Sequence, residues 1–252
     1  MELTKKNYFT NDNKYISNSK IGDWLKDKNY FYRKNFLGTV EREVSDPMII
    51  GSAVDTFVTG GEKKFKDEYI VVTRRSKKQP DYEHQLNNTM YNQVEKMSRN
   101  IMSQDAYKGL EGYTSQKILQ IEKPIGIFPG MCGIPDWFKV DGDRAVIVDL
   151  KTAEDANPGK YFYKCRDYGY FRQMAFYYLL ISHNYGVKFD NFRFRHLVVE
   201  KDKTGINNVF TFEFKPKRVE EALEELIITL DDIAVETEFA PHNASWDKAV
   251  II

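Results

Sequence analysis

The sequence predicts an α/β chain folded as one domain over residues 1–252, and three observations lead there. Residues 133–152 carry two apolar-rich, β-branched runs around Asp-Gly-Asp-Arg, the signature of a β-hairpin. Apolar residues at three- and four-residue spacing mark helices on both sides of it, at 88–110, 168–181 and 215–239. A length of 252 residues with 42% hydrophobic content is enough for one core. Residues 1–45 then form an N-terminal helical extension and 215–240 a C-terminal acidic helix. No repeat, low-complexity tract or linker breaks the chain.

In chain order, residues 1–15 are polar and carry little signal. Ser17 or Ser19 caps a helix whose apolar residues Ile21, Trp24 and Leu25 share a face. Asp46-Pro47 opens a second helix, with proline near its first turn, that carries Gly51-Ser-Ala-Val-Asp55. Residues 69–73 read as a short strand, followed by Arg74, Arg75, Lys77 and Lys78. Such a charge run is ordinarily a solvated face; the functional alternative is a DNA-binding loop, since phosphates need clustered cations without fine geometry. Met90, Val94, Met97 and Ile101 form a core stripe on the next helix. Residues 112–128 read as β-like, the strand before the hairpin, with Glu122 alternating so that it could face the same side as the hairpin carboxylates.

The hairpin carries the chemistry. Asp149 and Lys151 lie two positions apart on its second strand and so point to the same side. Asp136, early on the first strand, folds back toward them. Two carboxylates and an ammonium among apolar residues are costly to bury unless a cation or a reaction uses them. An isolated Asp-x-Lys, by contrast, is usually a salt-bridged strand edge. The helix that follows sets Gln173 and Tyr177 four apart on one face. Residues 191–200 and 207–214 read as antiparallel strands joined by 201–205, with His196 a packed strand residue. Val219, Leu223, Leu226, Leu230 and Ile233 stripe the last helix.

Composition excludes some classes. No apolar run approaches a membrane span, and the first residues lack a signal-peptide core, so a cytoplasmic protein is expected. Net charge is zero, yet residues 219–240 hold eight acids and no Lys or Arg, which leaves eight net positive charges elsewhere. A basic body is compatible with a DNA groove. Cys132 and Cys165 are the two cysteines, and a reduced pair is expected.

Pro135-Asp136, a hairpin, then Asp149-x-Lys151, followed by Gln173-x-x-x-Tyr177, resembles the PD-(D/E)xK nuclease superfamily. More narrowly it resembles the RecB-like branch and the phage RecE and lambda-exonuclease types. The likeness runs from about residue 15 to 177 and is specific only in 133–177. It implies a restriction-endonuclease-like core, a central mixed sheet flanked by helices. It implies a metal-dependent DNA exonuclease, phage-encoded or from a mobile element and acting in recombination or DNA processing in the host cytoplasm. A structure-specific endonuclease or nickase, and a catalytically silent DNA-binding module, are the alternatives. The cofactor implied is Mg²⁺ or Mn²⁺, on Asp136, Asp149, the Leu150 carbonyl and Asp55. Asp55 stands where RecB-like relatives have histidine, a departure from the family pattern. Lys151 would orient the attacking water or stabilise the developing charge, Gln173 would position Lys151 or the water, and Tyr177 would support it or meet the DNA backbone. Some relatives hold an iron–sulfur cluster on four cysteines, which two cysteines cannot build. DNA, a single-strand annealing protein and further copies of the chain are the partners implied.

Overall fold

A computed structural model gives the fold; it describes residues 3–10, 13–40, 44–79, 81–201 and 206–236. Helix α1 is Lys5–Tyr8, and α2 is Asn18–Lys26, opened by Ser17, whose hydroxyl accepts from the Lys20 amide. Helix α3, Lys28–Tyr32, runs into a π-helical turn, Arg33–Leu37. Ile21 and Trp24 are buried, but Leu25 is 54% exposed, off the face that the spacing suggested. This segment packs into the main core: the Trp24 indole donates to Asp232 at 3.0 Å, and Lys28 pairs with Asp232 at 3.4 Å.

Helix α4, Asp46–Glu68, begins with Pro47 and is broken at Gly61. Strand β1, Ile70–Val71, pairs parallel with β2, Gln85–Leu86. The run predicted over 69–73 yields only these two exposed residues. Helix α5, Asn88–Ser103, buries Met90, Val94, Met97 and Ile101 as its spacing requires. A break at Gln104 separates it from α6, Asp105–Lys108.

The strand predicted over 112–128 is a more marked departure. Strand β3 is Thr114–Ser115, and β4 is Leu119–Ile121. Pro124 has no N–H to donate and Gly126 has φ +54°, so the chain turns there instead of extending. Strand β4 pairs with β5, Met131–Gly133, outside the main sheet. Gly133 lies where a Cβ would come within 2.6 Å of Leu180 Cδ1, so its lack of a side chain allows that approach. Glu122 is exposed and receives a hydrogen bond from Tyr15, away from the hairpin carboxylates.

Strands β6, Trp137–Asp141, and β7, Arg144–Ala153, form the predicted hairpin. Its two-residue loop starts at Gly142 with φ +60°, the sign a type II′ turn needs. Helices α7, Pro158–Asp167, and α8, Tyr170–Tyr185, carry the chain over to β8, Phe192–Glu200, parallel to β7. Strand β9, Val209–Glu213, returns antiparallel, and α9, Pro216–Val235, ends the description. Residues 202–205 of the expected connection and 237–240 of the expected acidic helix lie outside the described residues.

The central sheet is five-stranded and mixed, in the order β3-β6-β7-β8-β9. Alternation along β7 sorts its residues between two cores. Val148 and Leu150 pack with α4 and α5, while Ala145 and Ile147 pack with α2, α8 and α9. Asp149 and Lys151 share the parity of Ile147. They face the α7–α8 side.

Candidate active site

The hairpin register pairs Phe138 with Ile147 and Trp137 with Val148; carried one residue further, it sets Asp136 opposite Asp149. Strand β6 ends as a ladder just there, and Asp136 takes over. Its Oδ2 accepts from the Leu150 amide at 2.8 Å, and its Oδ1 from Gln116 Nε2 at 3.1 Å. A strand residue presents its N–H and C=O to the same edge. The Leu150 carbonyl therefore faces the Asp136 side rather than β8.

Asp149 is 1% exposed and ion-pairs through Oδ2 with the Lys151 ammonium. Lys151 Nζ also lies 4.9 Å over the Tyr170 ring. Asp55 reaches the same place from α4. Burial and the neighbouring Asp149 push its carboxyl up to about 6. Burial, reinforced by Asp149 and Asp55, holds Asp136 well above the carboxylate range, and burial raises Asp149 as well. Burial pulls Lys151 down, but Asp149 and Asp136 outweigh it and leave it raised. Asp149 thus raises both of the other carboxylates, with one cation among the three.

Gln173 donates to the Tyr177 hydroxyl at 3.1 Å, and that hydroxyl donates to the Ile134 carbonyl at 3.3 Å. The pair therefore braces the strand entry two residues before Asp136. Gln173, Tyr177, Asp136 and Asp55 line one pocket; Asp55, Leu150 and Lys151 line another of about 570 Å³. Asp55 is common to both.

The basic run falls elsewhere. Arg75 is buried at its tip, pairing with Asp46 and lying 4.2 Å over the Tyr82 ring, so it fastens the loop to the start of α4. Arg74, Lys77 and Lys78 are exposed. None of the four lines the pockets that Asp55 joins.

One neighbour of the site was read from the sequence only as packing. His196 is fully buried opposite Asp149 on β8, with Nε2 3.9 Å from Asp149 Oδ2. The Tyr161 hydroxyl is 2.6 Å from its Nδ1, and burial holds the imidazole well below its usual pKa. A neutral ring thus stands behind the carboxylate. The alternation of residues 192–198 places it on the right face, but only the parallel pairing of β7 with β8 sets it beside Asp149.

Among the described residues, no three His, Cys, Asp or Glu side chains are drawn together tightly enough to enclose a metal ion. Lys151 engages Asp149, and Leu150 and Gln116 engage Asp136, so the carboxylates are held on separate partners. The donor chemistry nonetheless fits a hard divalent cation. All the donors are oxygens, and Asp55 Oδ1 is buried with no hydrogen-bond partner among the described residues.

No curated protein matches the chain. The crystal structure of a putative exonuclease from Eubacterium rectale superposes over 100% of this chain and 97% of its own, with a TM-score of 0.66 at 19% identity. The crystal structure of SSO0001 aligns with 81% of this chain and 85% of its own, at 11% identity and a TM-score of 0.32. At 19% identity the first likeness is one of fold alone. A family described as a PDDEXK-like domain of unknown function, DUF3799, matches residues 17–244. With nine-tenths of its length matched and the mixed sheet in place, the chain belongs to this PDDEXK-like family.

Proposed function

We propose that the chain is a metal-dependent deoxyribonuclease that degrades DNA from its ends. The observation that carries this is the meeting of Asp136, Asp149, Asp55 and Lys151 at one end of the central sheet. Three buried carboxylates, each raised by burial and two of them also by the neighbouring Asp149, are a standing cost to the fold, and a divalent cation would offset it. Asp136, Asp149, Asp55 and the Leu150 carbonyl are the groups that would hold Mg²⁺ or Mn²⁺, which supplies a Lewis acid and an activated water when bound. Lys151 carries the positive charge that stabilises the developing phosphate charge or orients the water. Gln173 and Tyr177 keep the approach to Asp136 rigid. The choice of end-directed cutting rests on the resemblance to RecE and lambda-type enzymes, and the description of the Eubacterium rectale neighbour agrees with it. The same resemblance supports a recombination setting, with a single-strand annealing protein or further copies of the chain as partners. Among the described residues no helix is long and apolar enough to cross a membrane.

Digestion of end-labelled linear and closed circular duplex, with Mg²⁺ and with EDTA, tests the reading. Loss of linear DNA alone, and only with metal, is expected. Equal cutting of both forms would make the chain an endonuclease or nickase. Binding without cutting would make it a silent module.

A further inference from the structure

The 570 Å³ pocket that contains Lys151 extends outward along a short aromatic ladder. Lys151 Nζ sits over Tyr170, and Tyr170 stacks with Tyr168 at 5.8 Å between ring centroids and 29° between planes. Tyr168 is 67% exposed. Gly169, with φ +66°, turns the end of α7 directly into α8 and so sets the two rings side by side. Lys164 and Lys201 line the same pocket, and Asp55 and Glu154 are its acids. Packing does not account for Tyr168, since two-thirds of it remains in water.

We infer that Tyr168 is a stacking platform for one unpaired nucleobase beside the scissile phosphate, so that the preferred substrate is a single-stranded or frayed DNA end. This rests on the nuclease reading above. Single-strand sites combine cations that follow the backbone with aromatic rings that take base faces, and both are present here. In a duplex the base faces are covered by their neighbours, and exposing one costs unpairing energy. An end that is already unpaired avoids that cost. The order outward is Lys151, Tyr170, Tyr168. A phosphate at the ammonium therefore brings the adjoining base toward the ladder.

The test uses the full chain in EDTA, which holds off metal-dependent hydrolysis, and single-stranded oligonucleotides carrying one 2-aminopurine at successive positions from the end. Fluorescence quenching at one position is expected with the wild-type protein. It should persist in Tyr168→Phe and disappear in Tyr168→Ala. Affinity for the single strand should fall about fivefold to a hundredfold in Tyr168→Ala, the scale of one lost base stack. Duplex with paired ends should show no such difference. Unchanged affinity and quenching in Tyr168→Ala would overturn the inference and leave the nuclease reading standing. Wild-type protein that binds no single strand would overturn it too, while the hydrolysis assay decides the nuclease reading separately.

Discussion

Replacing Asp55 by asparagine should make the metal-free protein more stable while abolishing its activity. The Asp55 carboxyl is raised from 3.8 to about 6 by burial and by Asp149. Because the folded protein holds this proton more tightly than the unfolded chain, stability falls as pH climbs from about 4 to about 6 and is flat above. Linkage converts that displacement to roughly 3 kcal/mol of lost stability at neutral pH. Asparagine removes the charge at nearly the same size. The full 3 kcal/mol is an upper bound, because the amide must still be buried. For a chain of this length the gain corresponds to a rise in Tm of at most about 10 °C. The assay is thermal unfolding of wild type and Asp55→Asn in EDTA and in excess Mg²⁺, at pH 5 and pH 7.5. Asp55→Asn should melt higher in EDTA at pH 7.5, with a smaller gap at pH 5. Mg²⁺ should raise the wild-type Tm markedly and the variant's much less. A variant that melts lower in EDTA at pH 7.5, or that keeps the wild-type response to Mg²⁺, would refute the placement of Asp55 among the metal-holding carboxylates.

Further outcomes are expected for Lys151 and for the basic loop. Lys151→Ala should lower single-turnover hydrolysis by about two orders of magnitude or more and, by leaving Asp149 buried and unpaired, cost on the order of 3–5 kcal/mol in EDTA. Lys151→Arg should restore little of the rate, and a destabilised but fully active Lys151→Ala would end the catalytic reading. In the basic loop, Arg75→Ala should lower stability by about 1–2 kcal/mol through loss of its stacking on Tyr82. Lys77→Ala with Lys78→Ala should leave the Tm alone, and melting curves with salt-dependent DNA binding would show whether those two lysines flatten the salt slope.

The sequence by itself determined the hairpin, the long helices and which residues of one element share a face. Those signals are local: an Asp-Gly turn between β-branched runs, apolar stripes at helical spacing, and side-chain alternation that puts Asp149 and Lys151 on one face. Gln173 and Tyr177 were legible for the same reason, since four residues make one helical turn. The span 112–128 misled because its apolar content reads as one strand, whereas Pro124 and Gly126 bend it and β4 pairs away from the main sheet. Arg75 misled because charge composition does not say which cation a neighbouring acid will capture; Asp46 and Tyr82 draw it inward. Contacts between elements far apart in sequence were left to the tertiary structure. The parallel pairing of β7 with β8 stands His196 behind Asp149, and α4 delivers Asp55 from nearly a hundred residues away. Burial then does what no pattern of residues can. It removes water from three carboxylates at once and lifts all three above the ordinary range for an aspartate.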